Sequence, residues 1–175
     1  CWAMAATVAV ASGAGNRFES GPGRVALVEL YTSEGCSSCP PAERRMDSLR
    51  DRPGLWREFV PVEFHVNYWD RLGWKDTFDQ AAFTDRQDDY EAPLGERGPF
   101  TPQVVVDGRR DVVGNVRPDI EKLVAQSNRM DDAPALHLSA NAVSVDAGQG
   151  TADIWLVRYD PSTVQVAIGR GENSG

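Results

Sequence analysis

Two cysteines separated by two serines, Cys36 and Cys39, narrow the possible folds of this 175-residue chain more than any other motif. They come shortly after an almost continuous apolar run, 25–31, which is typical of a strand covered on both faces. Pro40 and Pro41 directly after them suit the first turn of a helix. The pattern predicts a strand, a cysteine turn and a helix in succession.

This placement favours thiol chemistry. The N-terminal end of a helix stabilises a thiolate, and the two-residue spacing brings the sulfur atoms within bonding distance. We expect the turn to expose Cys36, the nucleophile, and to bury Cys39. Cys39 would then attack the mixed disulfide that Cys36 forms with a substrate.

Three other interpretations use the same cysteines. An inert structural disulfide needs no further residues. Structural zinc is disfavoured, because it requires four ligands and the chain has no second C-x-x-C. Cu(I) fits better, since Cys36, Cys39 and the imidazole of His65 would supply suitable ligands. A lone histidine is more often a packing residue, so we expect a redox pair without a metal.

The rest of the pattern alternates between strands and helices. A strand is predicted at 59–66, where Pro61 requires an edge or an early position. A helix is predicted to begin near Thr84, because Thr84 and Gln87 have the spacing of a capping box, and to end before Pro93. Two more elements complete the pattern: a β-hairpin over 103–113 and a helix over 117–126.

Thr101 and Pro102 stand immediately before the first strand of the predicted hairpin. Only about 5 to 6% of X-Pro bonds in folded proteins are cis, so a proline alone predicts nothing. In combination with a distant C-x-x-C, it predicts a cis peptide bond in a loop that faces the cysteines. We therefore expect Thr101 to bind extended substrate backbone and Pro102 to belong to the catalytic site.

Three segments together resemble a family of secreted bacterial proteins known as domain of unknown function 1223: 28–42 around the cysteines, the aromatic 64–76, and 100–108 around the proline. The resemblance covers about residues 25 to 175. It implies an α/β, thioredoxin-like fold with an aromatic insertion. It also implies a β-rich C-terminal part that extends further in the family, but no established substrate or reaction.

Four more residues are candidates for the site. Glu29, on the strand before the cysteines, resembles the buried acid of thioredoxins and would act as general base for Cys39; alternatively it points to solvent from an edge. Tyr68, Trp69 and Trp74 are predicted to form one wall of a substrate groove. The alternative for these aromatic residues is plain packing of the insertion.

The chain divides into three predicted parts: a leader at 1–24, a thioredoxin-like domain at 25–130 and a β-rich appendage at 131–175. The apolar stretch 2–11 resembles the back half of a secretory signal, so a secreted or periplasmic location is expected; a disordered terminus and a lipidated Cys1 are the alternatives. The appendage is expected to be an incomplete antiparallel sheet. Its predicted strands are 136–139, 143–145, 154–159 and 164–168.

Charge and hydropathy limit the partners. The formal net charge of -8 opposes binding to nucleic acid, which requires clustered cations. No apolar run reaches the roughly 18 residues that span a bilayer, so no membrane span is predicted. We expect an exported thiol-disulfide oxidoreductase that acts on protein or small-molecule thiols and disulfides without a cofactor. The alternatives are a copper-binding or metal-delivery protein and a non-catalytic binding module with a structural disulfide.

Overall fold

Two β-sheets and three α-helices form the described part of the chain. The structure is a computed structural model that describes residues 18–20, 24–127, 134–139, 142–148, 153–157, 160, 162 and 164–170. The strands are β1 (Phe18–Glu19), β2 (Ala26–Thr32), β3 (Phe59–His65), β4 (Gln103–Val106), β5 (Arg110–Val113), β6 (Leu136–Leu138) and β7 (Val143–Val145), and the helices are α1 (Pro40–Ser48), α2 (Ala81–Leu94) and α3 (Arg117–Ser127).

The larger sheet has the strand order β3-β2-β4-β5. The central strand β2 is parallel to β3 and antiparallel to β4, and β4 forms a hairpin with β5. Alternation along β2 divides its side chains between the two faces. Val28 and Leu30 pack in one cluster with Ala42 of α1, whereas Tyr31 packs with Val105 on the opposite face. Burial on both faces explains the apolar run that precedes the cysteines.

Several predicted elements are confirmed. β3 lies at the edge of the sheet, as its proline Pro61 requires. The hairpin turns at Asp107 and Gly108, whose φ angles of 53° and 63° are those of a tight hairpin turn. α1 begins with Pro40 and Pro41, which have no backbone N–H to donate. This is no loss in the first turn of a helix, where the N–H groups have no partner within the helix.

The second helix differs from its prediction. α2 begins at Ala81 and continues past Pro93, and the hydroxyl of Thr84 donates to the side-chain oxygen of Asn67 at 2.9 Å instead of capping the helix. Pro93 lies in the last turn of α2, so the helical hydrogen bond that it removes is close to the end of the helix. Gly95 then ends the helix with a left-handed φ of 76°.

The smaller sheet is antiparallel, with the order β1-β6-β7. Its first strand, β1, lies within the segment 1–24 that was predicted to be leader. The strands predicted at 154–159 and 164–168 are wrong for the described residues there, none of which is in a strand. A strand requires a hydrogen-bonded neighbour, and these residues pair with no described strand. Trp155 is accordingly 68% exposed.

The structure confirms the α/β class of the larger sheet and its helices. The domain boundaries near 25 and 130 stay predictions. Cys1 and the apolar stretch 2–11 lie outside the described residues. In the part of the chain that the structure describes, no helix has both the length and the apolar character of a membrane span.

Candidate active site

The cysteine turn connects the end of β2 to the start of α1. Cys36 and Cys39 form a disulfide, with their Cα atoms 5.4 Å apart. Cys39 is the N-cap residue of α1, and its N–H donates to the carbonyl of Cys36 at 3.1 Å. Both cysteines are fully buried, whereas Ser37 and Ser38 between them are exposed. The expectation that Cys36 would be exposed is therefore wrong for the disulfide state.

Two neighbouring segments cover the turn. The Thr101-Pro102 bond is cis, as predicted, and the hydroxyl of Ser38 lies 3.5 Å from the carbonyl oxygen of Thr101. Trp69 packs so closely on Gly35 that a Cβ atom at this glycine would lie 3.1 Å from the Trp69 Cβ. Both segments thus pack on residues that flank Cys36, whose side chain has no exposed surface.

The loop that contains the cis peptide bond is held from two sides. Gln87, which is 1% exposed, donates from Nε2 to the carbonyl of Phe100 and to the Gln103 side chain, each at 2.8 Å. On the other side, the N–H of Gly114 donates to the carbonyl of Pro102 at 2.9 Å. Gln87 therefore positions the loop and does not form the predicted capping box.

Two of the three predicted aromatic wall residues border this loop. Trp69 donates from Nε1 to the Thr101 hydroxyl at 2.8 Å, and the Tyr68 hydroxyl donates to the Gln87 side chain at 3.2 Å. Burial raises the pKa of Tyr68 to about 12, so its hydroxyl stays protonated near neutral pH. Trp74 lies elsewhere and donates to Glu34 at 2.6 Å. Tyr68, Trp69 and Thr101 line an open groove of about 490 Å³, together with Arg71, Thr84, Asp88, Pro99 and Phe100.

Glu29 is fully buried in the central strand, so the alternative in which it points to solvent is wrong. Its carboxylate accepts two hydrogen bonds from Arg86, at 2.8 and 2.9 Å, and the hydroxyls of Tyr31 and Tyr90 donate to it at 2.9 and 3.0 Å. Burial, reinforced by this carboxylate, raises the pKa of Tyr31 far above its usual value. Glu29 shares the Tyr31 face of β2, opposite the α1 face, so no contact supports its predicted role as a base for Cys39.

A second buried carboxylate, Asp76, organises the segment behind the turn. It accepts from the N–H groups of Glu34 and Phe78 at 2.7 and 2.8 Å and lies 2.8 Å from Nδ1 of His65. Burial alone would lower the pKa of His65, but the hydrogen bond and charge of Asp76 outweigh it and raise this pKa. Burial alone would raise the pKa of Asp76, but the contact with His65 outweighs burial and lowers this pKa. The two side chains form an ion pair whenever His65 is protonated.

His65 therefore directs one ring nitrogen toward Asp76. Within the described ranges, no three His, Cys, Asp or Glu side chains are grouped as metal ligands. The structure does not assemble Cys36, Cys39 and His65 into a ligand set, and the copper alternative has no preformed site among the described residues.

Several polar residues near the turn were not among those predicted for the site. Ser38 and Asn115 are short polar residues of the kind found in ordinary loops. Asp76 could not be recognised because its partners lie on other segments. Glu43 could have been found from helical spacing, since it is one turn after Cys39; it accepts from the Thr32 hydroxyl, and burial raises its pKa.

Comparisons with known proteins agree with the resemblance. Residues 27–175 match the model of a family described as "Protein of unknown function (DUF1223)". A crystal structure of a protein from Agrobacterium tumefaciens is 37% identical with a TM-score of 0.51, and the match covers 61% of this chain and 45% of that one. The match thus spans less than half of that protein's length. No curated protein matches. Because the family model matches most of its length, the chain belongs to the DUF1223 family.

Proposed function

We propose that the chain is a thioredoxin-like thiol-disulfide oxidoreductase that acts on protein or small-molecule thiols and disulfides. The observation that carries the proposal is the Cys36–Cys39 disulfide at the start of α1, beside the loop that contains the cis Thr101-Pro102 bond. A disulfide that only staples the fold needs neither a helix N-terminus nor such a loop beside it. Exchange chemistry uses both, one for the thiolate and one for the substrate backbone.

The order of the elements supports the thioredoxin-like assignment. β2 and β3 are parallel and joined through α1, and the antiparallel hairpin β4-β5 is followed by α3. The segment 67–80 and α2 lie between these two halves, where the resemblance implies an aromatic insertion. The cysteine turn and the cis peptide loop thereby meet at one end of the central strands.

The proposed exchange conserves atoms and electrons. In the reducing direction, the Cys36 thiolate attacks one sulfur of a substrate disulfide, and the other substrate sulfur leaves as a thiolate. Cys39 loses its proton to solvent and attacks the Cys36 sulfur, which releases the second substrate thiolate. The substrate disulfide gains two electrons, and the Cys36–Cys39 dithiol becomes a disulfide.

The groove bordered by Tyr68, Trp69 and Thr101 is the proposed substrate site. Its aromatic walls and its charged residues, Arg71 and Asp88, suit an extended peptide with mixed side chains. Because Cys36 is fully buried in the disulfide, its cover must shift before a thiol substrate can attack this disulfide.

A secreted or periplasmic location is part of the proposal. Disulfides persist in oxidising compartments, and the apolar stretch 2–11 supports export.

Three single variants test the reaction: Cys36→Ser, Cys39→Ser and the control Cys1→Ser. We expect Cys36→Ser to lose reduction of a model protein disulfide, Cys39→Ser to accumulate a mixed disulfide with the substrate, and Cys1→Ser to retain activity. Peptide mapping after brief alkylation of the reduced protein should find Cys36 modified before Cys39, because the helix N-terminus favours its thiolate. Earlier modification of Cys39 would reverse the roles, and full activity of Cys36→Ser would remove the proposal.

A further inference from the structure

The hydroxyl of Ser38 stands beside the sulfur of the proposed nucleophile. Its oxygen is 3.4 Å from Sγ of Cys36 and 3.5 Å from the carbonyl oxygen of Thr101. The backbone of Ser38 is itself held in place, because Asn115 donates from Nδ2 to the carbonyl of Ser38 at 3.0 Å. One hydroxyl proton is thus within reach of two acceptors, the sulfur and the carbonyl of the loop that precedes β4.

The first turn of α1 offers few backbone donors to this sulfur. Pro40 and Pro41 have no N–H, although they occupy the first turn of α1. The N–H groups of Ala42 and Glu43 both donate to the carbonyl of Cys39. The N–H of Cys39 is likewise engaged, with the Cys36 carbonyl. The start of this helix therefore presents less hydrogen-bonding capacity to a thiolate than helix N-termini usually do.

We propose that Ser38 is the side-chain donor that stabilises the Cys36 thiolate when the disulfide is reduced, an inference that rests on the proposed function. Reduction by two electrons from a thiol reductant, which is itself oxidised to a disulfide, with one proton taken up by Cys39, leaves a thiol at Cys39 and a thiolate at Cys36. A disulfide sulfur is a weak acceptor, so in the oxidised state the hydroxyl is shared with Thr101. A thiolate is a charged acceptor and forms the stronger bond. The hydroxyl therefore turns from the Thr101 carbonyl to the sulfur on reduction.

Other charged groups surround the turn and act on the same thiolate. Glu34 lies just before the turn and Glu43 lies on α1, while His65 and Asp76 form the ion pair behind Glu34. Arg71 stacks over the ring of Trp69 on the covering segment. These groups are identical in every Ser38 variant, so a difference between the variants isolates the hydroxyl.

The test compares Ser38→Ala, which removes the hydroxyl, with Ser38→Thr, which keeps it and adds a methyl group at an exposed position. The distant Ser48→Ala, which removes a hydroxyl bonded to the carbonyl of Arg45, is the control. The full chain is reduced, and the alkylation rate of Cys36 by iodoacetamide is measured against pH by peptide mapping. The reduction potential is measured by equilibration with glutathione.

For Ser38→Ala we expect the pH midpoint of Cys36 alkylation to rise by about half to one unit, a threefold to tenfold loss of thiolate below the midpoint. At pH values above the alkylation midpoints of both the wild type and Ser38→Ala, the reduction potential should fall by about 30 mV for each tenfold change in the thiolate equilibrium. Ser38→Thr and Ser48→Ala should match the wild type. Equal midpoints in Ser38→Ala and the wild type, or a Ser38→Thr that behaves like Ser38→Ala, would overturn the inference. The alkylation measurement needs no substrate, so it is independent of whether the protein reduces disulfides.

Discussion

Asp76 shows at the scale of single residues how one buried carboxylate fixes the segment 67–80. Its side chain has no exposed surface. It accepts hydrogen bonds from the N–H groups of Glu34, in the loop after β2, and of Phe78, two positions further along the chain, and it contacts His65 at the end of β3. Such a carboxylate is stable in the interior only while its partners neutralise and hydrogen-bond it. The ion pair with His65 therefore makes stability depend on pH.

We expect His65→Gln to destabilise the protein most between about pH 4 and 6.5. The His65 pKa is raised in the folded state, so its contribution is complete below the ordinary value of 6.5 and is lost as pH rises through the raised pKa. The Asp76 pKa is lowered, so its contribution is complete above the ordinary value of 3.8 and is lost as pH falls through the lowered pKa. Urea unfolding of both proteins at about pH 5.5 and about pH 9 measures the difference.

The other histidine provides the control for this pH dependence. His137 lies 3.0 Å from Asp146, whose side chain is 59% exposed and therefore screened by water. The difference between His137→Gln and the wild type should be small at both pH values. A His65→Gln difference that grows with rising pH would contradict the assigned ion pair.

Arg86 carries the second residue-scale prediction. We expect Arg86→Met to cost about 2 kcal/mol or more, because it leaves the Glu29 carboxylate buried with only tyrosine hydroxyls as partners. Chemical denaturation measures the loss, and the double variant Glu29→Gln/Arg86→Met should recover part of it. Arg52→Met is the matched control, since Arg52 pairs with Glu121 at 3.8 Å with both side chains about half exposed. An exposed pair of this kind contributes about 0 to 1 kcal/mol.

At the scale of elements, three parts of the fold meet at Gly114, directly after β5. A Cβ atom there would lie 3.1 Å from the Cβ of Ala42 on α1, 3.2 Å from the Cβ of Pro102 and 3.3 Å from Cδ1 of Leu30 on β2. The backbone of Gly114 also binds two of its neighbours: its N–H donates to Pro102 and its carbonyl accepts from Arg45. The absence of a side chain at Gly114 allows α1 and the cis peptide loop to approach each other.

Gly114→Ala should therefore destabilise the protein by about 1 to 3 kcal/mol, because an added methyl group overpacks this junction. It should also slow disulfide exchange, since the loop that carries Pro102 is displaced from the cysteine turn. Thermal unfolding and the disulfide reduction assay measure the two effects. Gly148→Ala is the control: its Cβ would meet Pro134 at an ordinary distance of 3.4 Å. Unchanged stability in Gly114→Ala would contradict the packing described for this junction.

At the scale of the whole molecule, the predictable elements are those whose causes lie close together in the sequence. The central strand, the cysteine turn, α1 and the hairpin follow from apolar runs and from prolines and glycines at their ends. The start of α2 does not, because the Thr84 hydroxyl bonds to Asn67, 17 positions away. The strands predicted at 154–159 and 164–168 have suitable alternation, but a strand also depends on a neighbour that alternation does not reveal.

The candidate site divides in the same way. The cysteines were recognisable from a local motif, and Pro102 was recognisable only in combination with it. The burial of Cys36 depends on how the folded chain packs around the turn, which neither motif reveals. The comparison of Glu29 with a buried acid correctly predicted that it is buried in its strand. Its partner Arg86 is 57 positions away, so the sequence did not show that the carboxylate joins α2 and not the cysteines.

The position of Pro61 also affects how copies of this chain meet one another. The N–H of Val66 donates to Thr32 of β2, so by alternation the backbone nitrogen of Pro61 faces the outer edge of β3. Pro61 therefore removes an N–H donor from the free edge of β3, and it removes none from the hydrogen bonds between β3 and β2. Near the end of this edge, the carbonyl of His65 already accepts from the N–H of Gln80 at 3.3 Å. The row of backbone donors and acceptors that a strand from another copy could pair with is therefore interrupted along this edge. This disfavours fibrous self-association along this side of the sheet.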